Sequence, residues 1–274
     1  MQPGAGVGRL IRLFVEGVGV LGPGLRGWPA TRAVLAGHEA YVHAPTVVTA
    51  PDLLPPVERR RTGVPVKLAL AAASEAFRNA GRDAASVATV FSSSGADGDN
   101  VHQIFEALAS PAREVSPTRF HNSVHNAAAG YWSIATQSRE PSTSLCCYDA
   151  SFAAGLLDAA AQVAVEEKPA ALIAYDHPYP EPLHTMRPLT DTFGVALILA
   201  PQATGQAIAE LRVSVAAGAA EGTPMADRQL DAVRLGLPAA RSLPLLAALA
   251  RNAAEVIVLA YGTAMHLRIE VAPC

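Results

Sequence analysis

The chain has 274 residues, half of them hydrophobic and only 16% charged, long enough to bury roughly 70–75% of the surface its unfolded form exposes. One large domain, or one domain with an appended lobe, is the expectation at this length. A formal net charge of −3 gives no electrostatic reason to expect nucleic acid, and three cysteines, two of them adjacent, cannot build a secreted disulfide framework.

The N-terminal stretch MQPGAGVGRLIRLFVEGVGVLG has Arg9 and Arg12 inside its apolar run, so it lacks the uninterrupted core of a signal peptide. No stretch approaches the roughly 20 apolar residues of a membrane span. A cytoplasmic protein with reduced thiols is expected.

In chain order, LIRLFVEGVGVLG alternates and is β-branched, which predicts a strand running into the turn residues Gly22, Pro23 and Gly24. PATRAVLAG predicts a short helix stopped by Gly37, and the proline-rich residues 43–65 an irregular crossing loop. VKLALAAASEAFRNAG puts Val66, Leu70, Ala73 and Phe77 on one helix face and ends at Gly81. SVATVFSSS follows as a buried strand. DNVHQIFEALAS predicts a helix with Val101, Ile104, Phe105 and Leu108 inward. SVHNAAAGYWSIAT predicts a second helix, in which Ala127 to Gly130 would admit another backbone closely. STSLCC reads as a short strand, SFAAGLLDAAAQVAVE as a buried helix, and AALIAYD as a buried strand of parallel type. FGVALILAP, AELRVSVAAG, AEVIVLAYG and HLRIEVAP supply further strands, with helix LPLLAALARNA before the last two. Such alternation predicts an α/β layered fold. Residues 216–238 form the loosest segment and the place for a lobe boundary.

Three short motifs fail as functional signals, and a basic run has two readings. Gly4-Ala5-Gly6-Val7-Gly8 precedes its strand instead of following one, and reads as a flexible terminus rather than a dinucleotide turn. His121 and His125 are four apart, as zinc ligands on one helix face are, but no Glu follows His121 and no third ligand is near. Asp97-Gly98-Asp99-Asn100 begins like a calcium loop, yet Leu108 stands at the twelfth position where a glutamate belongs, which leaves a polar turn. Arg59-Arg60-Arg61 reads as a solvated face or as a docking spot for an acidic partner.

Cys147 has two readings on the residues alone. If it ends its strand while Asp149 or Ser151 caps the following helix, its sulfur lies beside exposed N–H groups, a position that activates thiols and matches elbow nucleophiles. Against this, Asp149 disfavours a thiolate, and free cysteine is among the most commonly buried residue types.

Residues 116–160 resemble the nucleophile region of β-ketoacyl synthases of the thiolase fold. Ser116-Pro117, the helix Asn126-Ala127-Ala128-Ala129-Gly130, Pro141 and Gly155 fall at the family's intervals, and counting back eight from Gly155 lands on Cys147. The resemblance continues through LFVEGVGVLGPGLRGWPATRAVLAG, KLALAAASEAFRNAG and FGVALILAP, covering residues 10–215. RFHNSVHNAAAGYWSIAT, SFAAGLL and AYDHPYPEP are more narrowly similar to short chain-length factors of the aryl-polyene type. The resemblance implies a thiolase-like mixed sheet with helices on both faces. Residues 1–215 would form a synthase-like N-terminal domain, and 216–274 a short extension packed on it in place of the synthase's C-terminal half.

Working synthases also use two histidines from their C-terminal half and a glycine-rich loop that completes an oxyanion hole. VIVLAYGTAMHLRIEVAPC has neither; its single His266 is expected to face solvent or a neighbouring chain. The resemblance therefore implies a subunit, without cofactor or metal, that pairs with a full-length ketosynthase and shapes its acyl tunnel. Cys147 becomes a small core residue at a vestigial elbow. Ser142, Thr143, Ser144, Leu145, Cys146, His125, Asn126 and Trp132 would form the heterodimer contact. Val101, His102, Ile104, Phe105 and Phe120 would form a tunnel gate, although they equally suit the chain's own core. Arg59, Arg60, Arg61 and Arg119 would attract an acyl carrier protein. Homodimerisation without the partner stays open, as does a self-contained Cys147-dependent enzyme with His121 or His125 as base, or a module that only binds acyl chains or carriers.

Overall fold

A twelve-residue strand, β1 (Ile11–Gly22), is buried on both faces from Leu13 to Val20 and turns back through Gly24 into the short β2 (Leu25–Arg26). The computed structural model describes residues 10–49 and 52–274; the early glycine motif at 4–8 lies outside them. After α1 (Trp28–Leu35), the proline-rich stretch contains a helix, α2 (Pro56–Arg61), where an irregular loop was expected. Pro56 at its first turn and Glu58 beside its exposed N–H groups account for it. Next comes α3 (Val64–Ala80), closed by left-handed Gly81.

The chain continues through β3 (Ala88–Ser92), α4 (Gly98–Ala109), α5 (Pro117–His121), α6 (Ala127–Thr136) and β4 (Ser142–Leu145). It proceeds through α7 (Ser151–Glu166), β5 (Ala170–Asp176), α8 (Leu183–Met186), β6 (Phe193–Ala200) and β7 (Ala209–Ala217). The last elements are α9 (Arg228–Gly236), α10 (Leu243–Arg251), β8 (Glu255–Ala260) and β9 (Met265–Pro273).

The nine strands among the described residues belong to one mixed sheet, ordered β4-β3-β5-β6-β1-β7-β9-β8, with β2 paired to β1. β4, β3 and β5 run parallel, whereas β6 is antiparallel to both β5 and β1. β7 pairs with β1 and with β9, so the strands after residue 216 extend the same sheet. Helices cover both faces. One core gathers α7 and α10 against Leu13, Leu172, Leu197 and Leu211; the other gathers α3 and α6 against Phe91, Ile173 and Ile198.

Two expected helix faces differ in the structure. On α4 Ile104 is buried, but Phe105 and Leu108 point out of the chain, with Phe105 63% exposed. Periodicity sets which residues share a stripe, not what covers the stripe. On α6 Ala128 and Ala129 make the close approach to the core, while Gly130 has nothing within 4 Å of where a methyl would stand.

Close packing is most severe where α3 crosses β1. A methyl added at Gly19 would overlap the carbonyl oxygen of Ala72, and one at Gly17 that of Ala76. We expect Gly19→Ala to cost at least about 2 kcal/mol. Gly205→Ala, which meets nothing within 4 Å, should stay within about 0.5 kcal/mol of the wild type. Equilibrium denaturant unfolding compares the two.

Candidate functional site at the ends of the parallel strands

Because β4, β3 and β5 run parallel, the segments leaving their C-terminal ends meet on one side of the sheet, where open α/β folds place their sites. The group that joins them is Asp176, the last residue of β5, which is 2% exposed. Its Oδ1 accepts hydrogen bonds from the Ser94 N–H at 2.8 Å and the Ser94 hydroxyl at 2.6 Å, and its Oδ2 from the Ala239 N–H at 2.8 Å. The Tyr179 hydroxyl lies 3.3 Å from Ser94 Oγ. Burial pushes the Asp176 carboxyl up to about 6, against the downward pull of its three donors and Arg187.

Nearby, His177 Nδ1 pairs with the Thr192 hydroxyl at 2.6 Å, and Nε2 lies 3.6 Å from Asp99. Burial holds this imidazole below its usual value even though Asp99 and Asp97 oppose the shift. Asp97 begins α4 by accepting from the Asn100 N–H at 3.1 Å, so the calcium-like run is a helix cap. Burial raises its carboxyl, and Asp99 adds to the rise.

The chain turns from β4 into α7 through Cys146, Cys147 and Tyr148. Cys146 is exposed and donates to the Ser94 carbonyl at 3.3 Å; Cys147 is half-buried. The residue in the left-handed region is Tyr148, with φ 50° and a ring 61% exposed. Neither Asp149 nor Ser151 caps α7, contrary to the sequence expectation. Ser151 Oγ instead accepts from the Cys147 N–H at 3.0 Å and donates to the Tyr148 carbonyl at 2.7 Å, bracing the turn. Asp149 is held by Arg187 at 3.0 Å and Arg241 at 3.2 Å, and the Arg187 guanidinium stacks 3.4 Å from the Tyr148 ring centroid. Spacing along the chain had no means of finding these arginines.

The other predicted positions separate into groups. His121 ends α5 and His125 lies in the loop after it, so the two do not share a helix; His121 sits edge-on to Tyr131, and His125 Nε2 is 3.2 Å from the Ser93 carbonyl. Among the described residues, no hydrogen bond joins an imidazole to Cys146 or Cys147. His266 is partly covered, its Nδ1 2.9 Å from the Gly218 carbonyl.

Trp132, expected at an interface, packs inside this chain against Phe77 with ring centroids 5.3 Å apart. On β4, Ser142 Oγ takes the Thr89 hydroxyl and Thr143 Oγ1 the Gln162 amide. Leu145 packs on the core, and Ser144 Oγ is buried without a partner. Asn126 and Phe120 are exposed, Phe120 at 70%, while Val101 and His102 are half-buried. Arg60, Arg61 and Arg119 line one groove of about 360 Å³, whose walls also include Asp97 and Asp99. Arg59 instead pairs with Asp52.

The β-ketoacyl synthase N-terminal domain model matches residues 28–261. The chain belongs to that family. None of the curated proteins matches the sequence. Among solved structures, a chain of the ketosynthase ApeO–chain length factor ApeC complex from Xenorhabdus doucetiae is similar at 20% identity and TM-score 0.71, covering 95% of this chain and 99% of its own. The ishigamide ketosynthase/chain length factor is similar at 15% identity and TM-score 0.65, covering 95% and 99%. The AntDE:AntF complex, a type II polyketide synthase acyl-carrier protein with its ketosynthase, gives 10% identity and TM-score 0.74 over 96% and 100%. At these identities the likeness establishes the thiolase-like ketosynthase fold. No helix among the described residues is long and apolar enough to cross a membrane.

Asp176 makes a pH prediction. Its folded value lies near 6 against 3.8 for the free side chain, so its protonated form favours the fold, and that contribution fades as pH rises from 4 through 6. Relative to Asp176→Asn, the wild type should lose on the order of 2 kcal/mol between pH 4 and 7. Urea unfolding across that range measures it; a difference that does not change with pH contradicts the assignment.

Proposed function

We propose that this chain is a chain-length-factor-like subunit that pairs with a full-length β-ketoacyl synthase and shapes the partner's acyl tunnel without condensing substrates itself. The observation that carries this reading is the unequal treatment of the two sheet edges. At the β8 edge, Thr223 covers the middle of the strand: its N–H donates to the Val258 carbonyl at 2.9 Å and its hydroxyl accepts from the Val258 N–H at 2.8 Å. At the other edge, among the described residues, β4 pairs only with β3. An open edge invites another chain, and the nearby helices are suited to receive one. Asn126, Gly130 and Ile134, four apart on α6, stand exposed in one line, and Phe105, Leu108, Phe120 and Val124 add an apolar surface from α4 to the loop after α5.

Two of the similar solved structures are described as ketosynthase–chain length factor assemblies, which supports the choice of partner. An obligate interface of this kind buries more than about 2,000 Å² and is rich in apolar groups. Its contacts on this chain would come from Ser142 to Cys146, Asn126, Gly130 and Ile134. Trp132 contributes by fixing α6 from beneath.

The reaction assigned to the complex is decarboxylative Claisen condensation: malonyl thioester releases carbon dioxide, and its carbanion attacks an acyl thioester held by the partner, whose C–S bond breaks to release the thiolate as the new C–C bond forms. Both steps develop negative charge on oxygen. Removing one preorganised donor for such charge typically costs a hundredfold to a thousandfold, roughly 3–4 kcal/mol. Neither thiol here has a hydrogen-bonded imidazole, which favours leaving the chemistry to the partner. Phe105, outward on α4, supplies a floor for the growing chain, with Val101, His102 and Phe120 beside it. The groove of Arg60, Arg61 and Arg119 suits an acidic acyl carrier protein, the kind of partner named for a similar structure. The chain's reduced-thiol reading supports a cytoplasmic setting, and no helix among the described residues is long and apolar enough to cross a membrane.

Co-expression with a ketosynthase encoded nearby should yield a 1:1 complex on size-exclusion chromatography. Gly130→Gln should leave the isolated chain folded, because its site is open, yet abolish the complex; separate elution of the wild-type chains would overturn the reading. Within the complex, Phe105→Ala should lengthen the products seen by mass spectrometry. Unchanged length in an intact complex would place the floor elsewhere.

A further inference from the structure

An elbow nucleophile stands on a sharp, strained turn between strand and helix, so that its side chain is presented outward. Counting along the sequence assigns that station to Cys147. The backbone assigns it elsewhere. Cys147 has φ −142° and ψ 42°, neither helical nor extended but on the negative-φ side, and is half-buried. Tyr148 has φ 50°, a conformation bulky residues rarely adopt, and it presents its ring to the outside three residues before α7.

Strain of this kind persists only where the surroundings over-determine it, and here they do. Ser151 ties the backbone on both sides of the turn, through the Cys147 N–H and the Tyr148 carbonyl. Arg187 covers the ring face, and its Nη2 grips Asp149. Arg241 grips the other oxygen of Asp149. Two segments far apart in sequence, at Arg187 and Arg241, thus converge on the turn that carries this tyrosine. We propose that Tyr148, not Cys147, occupies the nucleophile station of this chain, and that Arg187, Asp149 and Arg241 latch its ring there as a plug that bars acyl transfer to this subunit.

The proposal rests on reading the chain as a non-condensing subunit, and it adds why: the station is filled by a side chain that cannot take an acyl group as a thiol does. It also explains why Cys147 can stay a cysteine without consequence. A thiol placed at position 148 would sit near the N-terminus of the sixteen-residue α7 and beside the Arg187 cation, both of which favour the thiolate, while the opposing charge of Asp149 is already paired with Arg187 and Arg241.

The test uses the full chain in a Cys146→Ser background, alkylated with iodoacetamide at pH 7 and mapped by peptide mass. The thiol introduced by Tyr148→Cys should react about tenfold faster than Cys147 does in the parent, and adding Arg187→Ala should slow it about threefold or more. Equal rates at the two positions, or no effect of Arg187→Ala, would overturn the proposal. Should Tyr148→Cys not fold, Tyr148→Ala decides: incubated with an acyl N-acetylcysteamine thioester, its Cys147 should remain unacylated, and acylation there would overturn the proposal. None of these readouts needs a partner or turnover. Condensation by the isolated wild-type chain would end the functional reading, whereas equal thiol rates in a chain that condenses nothing would end the station assignment alone.

Discussion

A single buried carboxylate organises this molecule. Asp176 ends β5 and binds donors from two directions, the segment after β3 through Ser94 and the turn before α10 through Ala239. Both directions lead to the elbow. The Ser94 carbonyl receives the Cys146 thiol, and Arg241, two residues beyond Ala239, holds Asp149. The turn from β4 to α7 is therefore braced from the sheet on one side and from the C-terminal segment on the other. Burying a carboxylate is costly unless donors surround it, and the donors supplied here are two backbone N–H groups and a hydroxyl that would otherwise be orphaned in the core.

With that end of the sheet fixed, the edge strand beside it can stay short and open. β4 has four residues, too few to be stable alone, and it depends on β3 and α7 for its position. Its outer side has no paired strand among the described residues, while at the far edge Thr223 bonds both the N–H and the carbonyl of Val258 on β8. Charged groups are spent elsewhere: Arg12, Glu210 and Arg212 pair on the exposed face of β1 and β7, and Arg268 pairs with Glu270 on β9. The α6 side near β4 instead presents small and apolar residues. The ion pairs thus lie on the β1, β7 and β9 part of the sheet and the exposed apolar side chains of α4 and α6 on the β4 part, a division that suits the proposed pairing with a partner at β4.

Much of the fold is legible in the sequence because it is written locally. Alternation in β1, the continuous apolar runs of β5 and β6, the alanine stripe of α3 and its Gly81 stop each specify an element without reference to the rest of the chain. The site is less legible because its geometry is non-local. Asp176 reads as the polar end of a strand; its partners stand 82 and 63 residues away. Arg187 and Arg241 lie 38 and 92 residues from Asp149, and nothing in their local context marks them. Spacing counts positions and lands on Cys147, whereas the positive backbone φ of this turn, which no count along the sequence reveals, falls on Tyr148. Phe105 was expected inward because its stripe also contains Ile104, and only the packing of neighbouring elements separates the two.

The central claim is that β4, and not β8, is the edge made for a second chain. Amide hydrogen exchange of the subunit, alone and after addition of its ketosynthase, addresses it most directly. The account predicts that residues 142–146 and the exposed side of α6 become strongly protected while residues 255–260 exchange as before. Protection confined to residues 255–260, with the β4 segment unchanged, would contradict it.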